Sequence, residues 1–381
     1  MAGPLSGIKI VELAGIGPGP FAAMLLADLG ADIIRVDRAQ QVNPAAFDRQ
    51  NLEIMNRGRR SIGVDLKHRD GVETVLTLVE RADALIEGFR PGVTERLGLG
   101  PDACLARNPK LVYGRMTGWG QDGPMAQAAG HDINYIALAG ALAHFGRAGG
   151  KPTPPLNLVG DFGGGGMFMA LGVVSAVLEA QRSGHGQVID VAMVDGTAVL
   201  MTMFWGMRQM GFWDEALGVN LLDTGAPFYD TYETADGRFI SVGSLEPQFY
   251  AELIDKLGLA DAGLPGQMDR GEWSVLHEQF VALFKTKTRD EWDAILKGTD
   301  ACYAPVLTMS EAATEDHIAA RSTIIEVDGI AQPAPAPRFS RTPGEVQRPA
   351  PWPGQHTDEV LTAWGIDAAK VAALRDQGAI A

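Results

Sequence analysis

The sequence predicts an α/β protein with a parallel-sheet large domain and a smaller α+β domain. Three observations carry this. Strand and helix patterns alternate through the first third, a strong hairpin signal sits at Asp236-Gly237, and seven prolines between Gln332 and Gly354 mark an extended connector. With 381 residues the chain is long for one compact core, which favours two domains.

The elements follow in order. Ile8 to Leu13 is a β-branched apolar run, and Gly15-Ile16-Gly17-Pro18-Gly19-Pro20 reads as a turn. An Ala/Leu/Met helix pattern then runs to about Leu29, and Ile33 to Val36 is a second strand, which completes a βαβ unit. Ser61 to Asp65, Ala84 to Ile86 and Leu111 to Met116 read as further strands, with a helix over Gly71 to Arg81. Met167 to Arg182 reads as a long apolar helix starting on the Gly163–Gly166 run. Beyond Phe228, Thr231 to Val242 forms the hairpin, Pro247 opens one helix, and Thr288-Arg289-Asp290-Glu291 caps another. These breaks give a large domain over 1–200, a linker over 201–227 and a small domain over 228–306. A return connector follows over 307–355, and a closing helix over 356–381.

Bulk properties narrow the function. The net charge of −15 argues against nucleic-acid binding, which needs a basic surface. Two distant cysteines, Cys104 and Cys302, make no disulfide framework and point to a reducing, cytoplasmic compartment. No secretory leader is read at Met1–Ser6, and no run of about 20 apolar residues suggests a membrane span. A soluble enzyme is expected.

Two glycine-bordered stretches carry ionisable groups: Gly130-His131-Asp132-Ile133-Asn134-Tyr135 and Gly160-Asp161-Phe162-Gly163-Gly164-Gly165-Gly166. Glycine permits close backbone approach to a ligand, so an imidazole and a carboxylate on such turns suit proton transfer. Taken singly, His131 is as well read as a surface histidine and Asp161 as a helix N-cap. Together with helix-start amides after Asp161 they match removal of an α-proton from a thioester, which needs a base at carbon and donors at oxygen. Glu246 is a third candidate, with helix capping before Pro247 as its plain role, and Asp132 is read as orienting the neighbouring loop. The basic residues Arg35, Arg38, Arg57, Arg59, Arg60, Lys67, Arg90 and Arg96 read equally as a polyphosphate site or as a solvated face with scattered ion pairs. Gly15, Gly17 and Gly19 invite a dinucleotide reading, but Pro18 and Pro20 remove the amides a pyrophosphate would use. Five of 14 methionines fall between Met193 and Met210, which suits core packing or a permissive apolar surface.

Several motifs in sequence order carry a resemblance: Glu12–Pro20, Arg35-Val36-Asp37-Arg38, Asp65-Leu66-Lys67, Gly130–Tyr135, Gly160–Gly165, Gly186–Asp190 and Leu245–Tyr250. In these the chain resembles the α-methylacyl-CoA racemases of the family III CoA-transferase superfamily. The resemblance implies a Rossmann-like large domain, an interlocked homodimer and a 2-methylacyl-CoA thioester substrate, with no metal or redox cofactor. It carries catalytic roles onto His131 and Asp161, with Glu246 from the other subunit polarising His131. It carries CoA contacts onto Arg38, Val64, Asp65, Leu66, Lys67, Arg96, Gly130, Asp132, Ile133, Asn134 and Tyr135. Interconversion of (2R)- and (2S)-2-methylacyl-CoA through an enolate is therefore expected. The alternatives are a CoA-transferase using Asp161 as covalent nucleophile, or a non-catalytic CoA-binding protein.

Overall fold

The computed structural model describes residues 3–381. Six strands build one sheet: β1 (Lys9–Leu13), β2 (Asp32–Arg38), β3 (Arg60–Val64), β4 (Ala84–Glu87), β5 (Val112–Thr117) and β6 (Gln187–Ala192). Their spatial order is β3-β2-β1-β4-β5-β6, and every pairing is parallel. That order defines a doubly wound, Rossmann-like sheet with its switch point between β1 and β4.

Successive strand residues face opposite sides, so each face gathers its own core. Val11, Ile34, Val36 and Leu85 meet the helix Arg69–Val79 and the C-terminal residues Val360, Leu361 and Trp364. Ile10, Ile33 and Ile86 meet Ala22, Ala23 and Leu26 of the helix Pro18–Asp28 and Met169 and Val173 of the helix Phe168–Ser183. Helices on both faces are what a parallel sheet requires.

The chain divides into two compact units. The first holds the segment up to Ala139, Leu156–Leu200 and Ala319–Ala381; the second holds Gly140–Pro155 and Met201–Ile318. The stretch 1–200 is thus interrupted by an excursion, and residues 201–227 carry a helix, Thr202–Gln209, inside the second unit. In that unit β7 (Tyr229–Glu233) and β8 (Phe239–Gly243) form the expected antiparallel hairpin, and β9 (Tyr303–Pro305) adds to β8. Its core is aromatic: Tyr232, Phe280, Phe284 and Trp292 pack together, with Thr288 and Glu291 capping the helix Arg289–Leu296.

The return segment is not uniformly extended. It includes the hairpin β10 (Ile324–Val327) and β11 (Ile330–Pro333), turned at Asp328-Gly329 with both φ values positive. The chain then closes with two helices, Thr357–Ala363 and Ala368–Asp376, where one was expected. They are sewn to β3: the Ala381 amide donates to Gly63 O at 3.0 Å, and the Thr357 hydroxyl accepts the Gly63 amide at 3.0 Å.

Trp364 is 2% exposed within this core. Trp364→Ala is expected to cost about 3–5 kcal/mol of stability by chemical denaturation. An unchanged midpoint would mean the closing helices are not part of the large unit's core.

Candidate active site

A cleft of about 400 Å³ opens at the carboxyl ends of β1, β4 and β5, where sheets of this topology bind ligands. Its wall includes Gly15 to Pro20, Glu87 to Pro91, Thr117 to Trp119, Gly130, His131, Tyr135, Asp161 and Met193. His131 and Asp161, 30 positions apart in sequence, therefore face one space.

The His131 turn is built from its own residues. The Asn134 side chain accepts the His131 amide at 3.0 Å at the start of the helix Asp132–Leu138. The Tyr135 hydroxyl donates back to Gly130 O, and the Tyr135 ring meets Trp119 edge-on at 4.8 Å. Side chains of this kind leave the imidazole exposed while its backbone is fixed.

Asp161 lies inside a π-helix, Leu158–Met167, continuous with the helix Phe168–Ser183. Close packing explains the glycines. A side-chain carbon at Gly164 would lie 2.8 Å from Thr197 N, one at Gly165 2.9 Å from Met193 Cγ, and one at Gly166 2.5 Å from Phe21 Cδ1. This corrects the reading of the glycine run. The helix begins before Asp161, so the Gly163–Gly166 amides lie within it and are not a free helix start. The joined helix Leu158–Ser183 is also long and apolar enough to cross a membrane by length and composition, although one of its faces packs into the sheet core.

Asp132 joins the two elements. Its Oδ2 accepts the amides of Gly160 at 2.7 Å and Asp161 at 2.8 Å. Burial pushes the Asp161 carboxyl above its ordinary 3.8, the Asn157 amide at 3.0 Å opposes this, the nearby Asp132 charge adds to it, and His131 opposes it. A carboxyl raised in this way is suited to give and take a proton.

The first turn flanks the same group. Gly17, at φ 70°, has no Cβ, and one placed there would meet Asp161 Oδ2 at 3.4 Å. Buried ion pairs hold this turn: Arg35 binds Glu12 at 2.8 Å, and Arg59 binds Glu12 at 3.1 Å and Pro20 O at 3.0 Å. Burial lowers Arg59 to about 10, which leaves it charged at neutral pH.

The basic cluster divides into a buried, paired part and an exposed part. Arg35, Arg57, Arg59 and Arg60 form internal ion pairs with Glu12, Asp37, Asp28 and Asp32. Arg38, Lys67, Arg90 and Arg96 stay exposed. Arg38 ends β2, Val64 to Lys67 leave β3, and Arg96 closes the short helix Val93–Arg96, all at the carboxyl edge of the sheet. None of these, nor Asp132, Ile133 or Asn134, lines the cleft. The Val64 side chain is buried, and the Asp132 carboxylate is engaged by backbone. Glu246, in the second unit, is exposed at the N-cap of the helix Pro247–Lys256 and makes no side-chain cap bond. Trp119 and Glu87 are cleft residues the sequence reading missed; the Gly118-Trp119-Gly120 turn after β5 was the available signal.

The family profile described as CoA-transferase family III matches residues 5–357. The chain belongs to CoA-transferase family III. It is 48% identical over 365 residues to the α-methylacyl-CoA racemase of Mus musculus, covering 95% of this chain and 93% of that one. It is 45% identical over 364 residues to the α-methylacyl-CoA racemase of Homo sapiens, covering 95% and 94%. A crystal structure of a CAIB/BAIF family protein from Brucella suis superposes with a TM-score of 0.82 at 25% identity, covering 96% of this chain and all of that one.

Two outcomes test the geometry. Asp132→Ala leaves two amides without an acceptor and should cost about 2–4 kcal/mol in denaturation, with Asp132→Asn costing less because an oxygen remains. Asp161 binds its proton more tightly folded than unfolded, so ionising it lowers stability as pH rises through its raised pKa. Asp161→Asn should therefore be more stable than the parent at neutral pH, and the gap should shrink as pH falls toward 3.8. A pH-independent gap would contradict the raised carboxyl.

Proposed function

We propose that this chain is an α-methylacyl-CoA racemase that interconverts (2R)- and (2S)-2-methylacyl-CoA thioesters. The observation that carries the reading is that His131 and Asp161 line one cleft in a chain closely similar to racemases along its length. One group takes the α-proton, and the C–H electron pair moves into the C–C bond as the thioester carbonyl becomes an enolate. The other group then delivers a proton to the opposite face. No metal or redox group is required by this sequence of steps.

The first turn of the helix Pro18–Asp28 also opens on the cleft, with Gly19 the one amide between two prolines. We assign it the developing oxygen charge, because the leading amides of a helix lack internal partners. The exposed cations Arg38, Lys67 and Arg96 suit the CoA phosphates, and Met193 offers an adaptable apolar wall to the acyl chain.

The partner in this reading is a second copy. Met167, Leu171, Val174 and Leu178 recur at helical spacing and are all exposed, which leaves an apolar stripe that a homodimer would cover. Through that interlocked dimer Glu246 would approach the partner's imidazole, as the family resemblance implies.

Incubation with a 2-methylacyl-CoA in deuterated water tests the reading. Deuterium should appear at the α-carbon, and His131→Ala and Asp161→Ala should each lower the rate by about 10²–10⁴. Absence of label, with a hydroxamate formed at Asp161 on hydroxylamine trapping, would instead establish acyl transfer.

A further inference from the structure

Arg115 is buried on β5 opposite Glu87 on β4. Its Nε donates to Glu87 Oε1 at 2.9 Å, its Nη1 to Glu95 Oε1 at 2.8 Å, and its Nη2 to Glu95 Oε2 at 3.3 Å. Glu87 Oε2 accepts the Phe89 amide at 2.7 Å. One guanidinium therefore spans the end of β4 and the short helix Val93–Arg96, the two ends of the Phe89–Gly92 turn. Arg90, which lines the cleft, sits on this turn, and Arg96 ends the helix that follows it. Both are exposed, and neither makes an ion pair among the described residues.

Arg90 and Arg96 thus differ from Arg35, Arg57, Arg59 and Arg60 of the same unit, which are all held in ion pairs. Glu95 lies beside Arg96 in sequence on the same short helix and is a carboxylate that could reach this patch if it were released. Arg115 occupies both of its oxygens. A planar fork can hold two carboxylates at once, whereas a lysine ammonium acts as one point charge.

We propose that Arg115 is a positioning residue that sequesters Glu95 and so keeps Arg90 and Arg96 available to the nucleotide phosphates of CoA. This rests on the CoA-thioester reading above. Arg115→Lys keeps a cation beside the buried Glu87 but releases Glu95 into the patch.

Calorimetric titration with CoA tests it, using the parent, Arg115→Lys, Glu95→Gln and the double variant. Arg115→Lys should weaken CoA about tenfold, and adding Glu95→Gln should restore most of that loss. Glu95→Gln alone, at a half-exposed side chain that leaves Arg115–Glu87 intact, should bind CoA as tightly as the parent or more tightly. Pantetheine, which lacks the nucleotide, should bind equally to all four. A double variant as weak as Arg115→Lys, a weakened Glu95→Gln, or equal losses for pantetheine would overturn the proposal. So would a parent that does not bind CoA. A parent that binds CoA yet exchanges no α-hydrogen would refute the racemase reading while leaving this comparison decisive.

Discussion

One buried carboxylate sets the geometry on which the site depends. Asp132 is bonded in sequence to His131, and its Oδ2 holds the Gly160 and Asp161 amides at 2.7 and 2.8 Å. The imidazole-bearing turn and the carboxyl-bearing helix are thus registered through two charge-assisted hydrogen bonds, which are shorter and stronger than neutral ones. The constraint reaches back to composition. A side-chain carbon at Gly160 would lie 2.6 Å from Asp132 Oδ2, so this approach requires glycine.

Around that contact the large unit arranges its charges economically. The cations near β1 and β2 are consumed by Glu12, Asp28, Asp32 and Asp37, and two of them, Arg35 and Arg59, also hold Gly15 O and Pro20 O of the turn against which Asp161 rests. Removing one partner of such a buried pair strands the other, so these residues support the site without touching a ligand. Among the described residues, Arg38, Lys67, Arg90 and Arg96 stay exposed without an ion pair near the strand ends, on the edge that carries the cleft. A strongly acidic chain can in this way present a local basic rim to an anionic substrate.

Much of this was legible in the sequence. The βαβ alternation placed β1 to β5, Asp236-Gly237 placed the β7–β8 hairpin, and Thr288 with Glu291 placed a helix start. His131 and Asp161 stood out because glycines surround them. What escaped depends on contacts between distant residues. β6 was missed because its first residues are exposed at a sheet edge and lack an apolar run. The Asp328-Gly329 hairpin was hidden by the neighbouring prolines. The glycine run suggested a free helix start, but packing against Pro18, Phe21, Met193 and Thr197 draws it into a π-helix. Ion-pair partners as distant in sequence as Glu12 is from Arg59 cannot be read from the spacing of arginines alone. Nor does spacing disclose that Gly140–Pro155 leaves the first unit and belongs to the second.

Two groups serving opposite faces of one carbon is the central claim, and isotope tracing from a single enantiomer addresses it most directly. In deuterated water, with substrate and product separated at early times, newly formed product should carry deuterium while recovered substrate still holds its original hydrogen. Equal early labelling of both enantiomers, or transfer of the original hydrogen into product, would mean that a single base does both jobs and would contradict the account.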